Sequence, residues 1–172
     1  MNNTSTLNPW PESTMPVRFS DCDMYGHLNN IWYLKYFLDA REDHIASSYG
    51  LSLAHFAKQG TGWVVSSNQI SYLRPALVNE QVIIRSGVIE FTPQELLVEM
   101  QMIDAKRAQL KAVMWSKFVH VSLKDGKRTA LNDELASLFG QLRLGGYRYD
   151  EFDRRVGDLK TELSSRNNLE LV

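Results

Sequence analysis

The sequence predicts an α+β chain in which a long antiparallel sheet wraps around one buried helix, with a helical extension at the C-terminus. Three observations predict this class. The segment Asn30 to Tyr49 has helical length and is apolar nearly all round in its first half, as expected of a helix surrounded by protein rather than one lying on a surface. Four segments of strand-like composition follow it, separated by short turn signals, which favours antiparallel neighbours. Beyond them the spacing of apolar residues becomes helical again.

In chain order, the segment 1–15 is polar, rich in Asn, Ser, Thr and Pro, and is expected to be mobile. Val17 to Ser20 follows Pro16 and reads as a short strand ending in a polar turn. Asn29 or Asn30 can cap the helix, because an Asn side-chain oxygen accepts from the first-turn amides, and Gly50 supplies its stop. Trp63 to Leu73, Gln81 to Phe91, Glu95 to Asp104 and Gln109 to Leu123 are rich in β-branched, aromatic and Met residues. Period-two alternation is clearest at Leu96, Val98, Met100 and Met102, with polar Glu95, Glu99 and Gln101 between them. These strands lie within an expected domain at 16–126. In the extension at 127–172, Asn132-Asp133-Glu134 is a cap with acidic first-turn residues, and Leu135, Leu138, Phe139 and Leu142 form an apolar face. A second helix runs from about Asp150 to Ser164, its stripe formed by Phe152, Val156, Leu159 and Leu163, although Gly157 weakens it.

Composition sets limits on function. A chain of 172 residues with 44% hydrophobic content is long enough for one domain with a sizeable core. A net charge of −1 supplies no broad cationic surface for nucleic acid or acidic membranes. A single cysteine excludes an intramolecular disulfide framework, and no stretch approaches the roughly 20 apolar residues that span a bilayer. Met1 to Thr14 has no apolar targeting core, so the expected location is cytoplasmic.

The chemistry-bearing residues concentrate in Phe19 to Asn30. Asp21, Asp23, Gly26, His27, Asn29 and Asn30 lie just ahead of the helix start. If Asp23 and His27 flank one turn, a carboxylate and a proton carrier lie close to unpaired helix N–H donors, a set of parts suited to acyl or thioester hydrolysis. Asp21 reads as a turn-shaping residue bonded to its own backbone, and Cys22, between two carboxylates that raise its pKa, as structural. Asp21, Asp23 and His27 have donor types suited to a divalent ion, but no second set of His, Cys or Glu accompanies them. No metal or cofactor is expected. His44, His55 and His120 have no partner evident in sequence and receive no role.

The string D-C-D-M-Y-G-H-L-N-N-I-W-Y, followed by a helix carrying Tyr36, Asp39 and Ala40-Arg41, resembles the hotdog-fold thioesterases, closest to the 4-hydroxybenzoyl-CoA and acyl-CoA thioesterase group. The segment Ser67 to Ala76 adds to the resemblance, which covers Val17 to Leu123. It implies a hotdog fold, an acyl-CoA substrate and a homodimer or homotetramer with the acyl pocket between protomers. It also implies Asp23 as nucleophile or base, an oxyanion amide at Asn30 or an immediate neighbour, and His27 in support. Tyr25 stands where acyl carrier protein thioesterases of similar fold usually carry Asn, so their Asp, Asn and His network does not transfer whole. Ser67 and Asn68 become candidate pocket residues and Arg74 a candidate contact for coenzyme A phosphates. Trp63, Trp32, Tyr33 and Tyr36 line the acyl tunnel or belong to the core. Three other readings of the same residues remain: an acyl carrier protein thioesterase, a non-catalytic acyl-thioester binding or assembly protein, and a hotdog hydratase or dehydratase. Relatives with hydratase chemistry place one more residue between Asp and His than this chain does.

Overall fold

The computed structural model describes residues 7–169. Five strands, β1 (Glu12–Pro16), β2 (Thr61–Tyr72), β3 (Gln81–Phe91), β4 (Glu95–Asp104) and β5 (Leu110–Ser122), form one antiparallel sheet in the order β1-β3-β4-β5-β2. The helices are α1 (Asn30–Tyr49), α2 (Leu53–Lys58), α3 (Asp133–Leu142) and α4 (Phe152–Leu169). The long helix and the four long strands fall within a few residues of their sequence-predicted limits.

The alternation of β4 divides the core in two. Leu96, Val98, Met100 and Met102 join Val82, Ile84, Ala112 and Met114 in a cluster with Phe37 and Ala40 of α1 and with Leu135, Phe139 and Leu142 of α3. Leu97 and Ile103 join Ile83, Val113 and Trp115 in a second cluster with Phe152, Val156 and Leu159 of α4. The sheet is therefore covered by α1 and α3 on one face and by α4 on the other. Each layer removes apolar surface from water at roughly 25 cal/mol per Å².

Two sequence readings need correcting, and one placement goes beyond the sequence reading. The first strand is Glu12–Pro16, all but its last residue within the segment expected to be mobile, while the expected strand Val17–Ser20 runs into a 3-10 turn at Phe19–Asp21. Pro16 ends β1 because it lacks an N–H and sits at the sheet edge, paired with Gln81. Residues 1–6 of the expected mobile segment lie outside the described residues. Secondly, Glu99 and Gln101, the polar residues that interleave with the apolar ones on β4, are both buried. The Arg155 guanidinium on α4 donates to both Glu99 oxygens, at 2.9 and 3.0 Å, and the Trp115 indole N–H donates to one of them at 2.8 Å. Thirdly, α1 is covered on one side only: Tyr33, Tyr36, Phe37, Ala40, Arg41 and His44 are buried, whereas Ile31 is 72% exposed.

Arg155→Met strips the ion-pair partner from a fully buried carboxylate, and such a loss costs about 3–5 kcal/mol. Urea unfolding is expected to show that loss, with most of it recovered when Glu99→Leu is added.

Candidate active site

The segment from Val17 to Asn30 is sewn to its surroundings by backbone bonds. Val17 N–H donates to the Glu80 carbonyl at 2.9 Å, Leu28 N–H to the Ala76 carbonyl at 2.8 Å, and Val78 N–H to the Gly26 carbonyl at 2.9 Å. Within it, Cys22 pairs with Leu28 and Asp23 N–H donates to the His27 carbonyl at 2.8 Å, which closes a small hairpin. Gly26 makes its turn at φ 74°, a left-handed value that side chains with a Cβ resist. Asn29 N–H then donates to the Asp21 carbonyl at 3.0 Å, so the strand that carries Asp23 runs alongside the chain entering α1.

Asp21 is the anchor of this arrangement. Its carboxylate is buried and accepts from the Tyr36 hydroxyl at 2.8 Å, fifteen positions along the chain, and from Ser20 Oγ at 2.9 Å. The Tyr36 oxygen in turn accepts from Arg18 N–H at 3.1 Å. Burial first, and then the Asp21 carboxylate, hold the Tyr36 phenol above its usual pKa, so it remains a donor. The sequence reading assigns Asp21 only local turn bonds and Tyr36 a place in the tunnel or core. A buried Tyr needs a partner for its hydroxyl, and that was the available signal.

Asp23 is half-buried. Its Oδ1 accepts from the backbone N–H of Tyr25 at 2.8 Å and of His27 at 3.2 Å, while Oδ2 has no partner among the described residues. Both amides fix the direction in which the carboxylate points. His27 supplies its backbone here, not its ring. The imidazole is half-buried, has no hydrogen-bond partner among the described residues, and lies 6.4 Å from the Tyr25 ring, centroid to centroid.

The start of α1 provides the donor. Asn29 is the cap, its side-chain oxygen accepting from Ile31 N–H at 3.2 Å while its carbonyl accepts from Trp32 N–H at 2.8 Å. The backbone N–H of Asn30 has no acceptor among the described residues, and the helix dipole adds positive character at that point. The Tyr72 hydroxyl donates to the Asn30 carbonyl at 3.2 Å, joining the helix start to β2. Burial, then Asp21 and Asp23, raise the pKa of Cys22, which keeps it a thiol.

The remaining sequence candidates are spread around this centre. Tyr25, two residues after Asp23, is 76% exposed, and Phe19, Met24 and Ile31 are exposed as well. Asn68 is on the α1 face of β2, where it accepts from Ser116 Oγ at 2.6 Å. Ser67 is on the opposite face, where its Oγ accepts from the Tyr149 hydroxyl at 2.8 Å. Arg74 is exposed just beyond β2. Tyr33 and Tyr36 belong to the core, whereas Trp63 lines a cavity at the far half of α1.

Residues 17–139 match the sequence profile of the thioesterase-like superfamily. The chain belongs to that superfamily. It is 27% identical over 131 residues to the long-chain acyl-CoA thioesterase FadM of Escherichia coli (strain K12), a match spanning 76% of this chain and 98% of FadM. Its fold resembles that of a 1,4-dihydroxy-2-naphthoyl-CoA thioesterase from Synechocystis, with a TM-score of 0.69, 19% identity and coverage of 76% of this chain and 96% of that one. The Staphylococcus aureus protein SAV2348, solved in complex with CoA, is similar at a TM-score of 0.69 and 13% identity over 80% of this chain and 89% of its own. A sheet wrapped around α1 is the hotdog arrangement that the motif implies, extended here by α4.

Asn29→Ala removes the side-chain acceptor from the helix cap at the site. The expected loss is about 1 kcal/mol, read by urea unfolding, with Asn29→Ser recovering most of it.

Proposed function

We infer that this protein hydrolyses an acyl-CoA thioester to the free acid and CoA, with Asp23 as nucleophile or general base. Membership of the thioesterase-like superfamily and the match along nearly the whole of FadM support the reaction class. What supports the assignment to Asp23 most directly is the joint placement of an amide-held carboxylate with one oxygen uncommitted and the acceptor-free Asn30 N–H at the helix start.

In this reading the thioester carbonyl points its oxygen at the Asn30 amide, which stabilises the negative charge that develops there. The uncommitted Asp23 oxygen attacks the carbonyl carbon, or takes a proton from the water that does, and CoA leaves as the thiolate. His27 is the adjacent proton carrier or substrate contact, its ring having no hydrogen-bond partner among the described residues. Tyr25 borders the acyl entrance, and Arg74 lies within the basic set from which a CoA phosphate contact is drawn.

The site is completed by a second copy. β2 is an edge strand of twelve residues, and Val64, Val65 and Tyr72 on it are exposed, as is Ile31 on the uncovered side of α1. An unpaired edge of this length and apolar surface is a template for another strand. Pairing with the partner's β2 carries Asn68 to the boundary between protomers, where it lines the acyl pocket. Ser67, turned to the other face and bonded to Tyr149, supports that strand from behind. A homodimer in the cytoplasm is the proposed state.

Thiol release measured on aliphatic, aromatic and hydroxylated acyl-CoAs is expected to give turnover on at least one class. Asp23→Asn is expected to lower that turnover by at least about 100-fold while the urea midpoint is unchanged. Undiminished turnover in the variant removes Asp23 from the mechanism.

A further inference from the structure

Arg41 is a buried cation without an anion. It is only 3% exposed, yet it makes no ion pair among the described residues. Its Nη1 donates to Ser86 Oγ at 3.2 Å, and its other polar neighbour is the Tyr49 hydroxyl. Both partners are neutral. The same Ser86 oxygen lies 2.9 Å from His44 Nδ1, and His44 Nε2 has no partner. Burial, then the charge on Arg41, pull the His44 pKa down to about 4, so it is neutral at pH 7 and adds no charge. An unpaired buried guanidinium is costly unless something supplies the missing charge.

The same Arg41 forms part of the wall of a cavity of about 170 Å³. Apart from Arg41, Glu42, Tyr49 and Ser52, the lining is apolar or aromatic, with Ile45, Phe56, Trp63 and Phe139 among its members. Glu42 is exposed and makes no ion pair with Arg41 among the described residues. Leu53, 55% exposed, marks where the cavity meets the surface. No residue before Leu38 lines it, and Arg41 is eleven residues from Asn30, about 16 Å along the helix axis. It is separate from the Asp23 site.

We propose that this cavity is a second ligand site, which binds a small free carboxylic acid with its carboxylate on Arg41 and its apolar tail among Ile45, Phe56, Trp63 and Phe139. Charge selects the head: a guanidinium offers a carboxylate paired donors. Volume selects the tail, since a cavity of about 150 Å³ holds a benzene ring, so the fit is a benzoate or a chain of similar size such as hexanoate. An inorganic anion leaves the apolar lining unused. Free acid is what thioester hydrolysis releases, so under the proposed function the cavity senses product, but the binding itself does not rest on that function.

Titration of hexanoate, hexan-1-ol and inorganic phosphate into the full chain, followed by protein-observed NMR without any thioester present, tests the site. Hexanoate is expected to bind saturably and hexanol at least about tenfold more weakly, the weight of one charge-assisted hydrogen bond. Phosphate is expected not to compete. Arg41→Gln should weaken hexanoate by a similar factor and leave hexanol unchanged. Leu53→Trp, a surface change at the mouth, should weaken both, which decides the matter if the Arg41 variant fails to fold. Asp23→Asn should bind hexanoate as the parent does, which separates this site from the catalytic reading. Equal affinity for hexanoate and hexanol, competition by phosphate, or no saturable binding by about 10 mM overturns the proposal.

Discussion

The buried hydrogen bond between the Asp21 carboxylate and the Tyr36 hydroxyl ties the loop that carries Asp23 to the central helix α1. Tyr36 sits one residue before Phe37, which is fully buried against the sheet, so its position is set by the core rather than by the loop. Asp21 converts that rigidity into a fixed path for the next residues. Its carbonyl takes the Asn29 amide, its carboxylate takes the phenol, and Asp23 projects from the hairpin that begins immediately after it. The roles proposed for Asp23 and the Asn30 amide require both groups to be held within a fraction of an ångström of a productive geometry. Here the core of the fold supplies that restraint.

The second structural theme is a sheet with no wet face. α1 and α3 cover one side, and α4 covers the other across an ion pair whose acid, Glu99, has no exposed surface. Satisfying Glu99 needs Arg155, Gln101 and Trp115 together, so the C-terminal helix is held in one register on the sheet. With both faces occupied, β2 is the long strand edge left open, and it adjoins the candidate site through Tyr72 and the Asn30 carbonyl. The geometry of the edge and that of the site are thus coupled.

Much of this was legible from sequence because the signals are local. The apolar run from Ile31 to Leu38, the Asn29 cap and the Gly50 stop define α1 without reference to the rest of the chain. The alternation of Leu96, Val98, Met100 and Met102 does the same for β4. Asp23, His27 and Asn30 stand out by their concentration ahead of a helix. What was not legible depends on partners far apart in sequence. Glu99 gives no sign in sequence of its ion-pair partner Arg155, fifty-six positions away. Asp21 looks like a turn residue until Tyr36 is found above it. β1 escapes notice because five residues ending in Pro show no periodicity, and its pairing with β3 exists only in three dimensions. The cavity at Arg41 has the same origin, since its walls come from helices and strands that no sequence window contains.

The central claim is that the Asp21 and Tyr36 pair acts as one unit to position Asp23. A double-mutant cycle on kcat/KM, with Asp21→Asn, Tyr36→Phe and the two combined, tests it most directly. Each single change is predicted to lower kcat/KM by about 10- to 100-fold, and the double variant to be no worse than the poorer single. Single variants that retain full kcat/KM, or losses that multiply in the double variant, would contradict it.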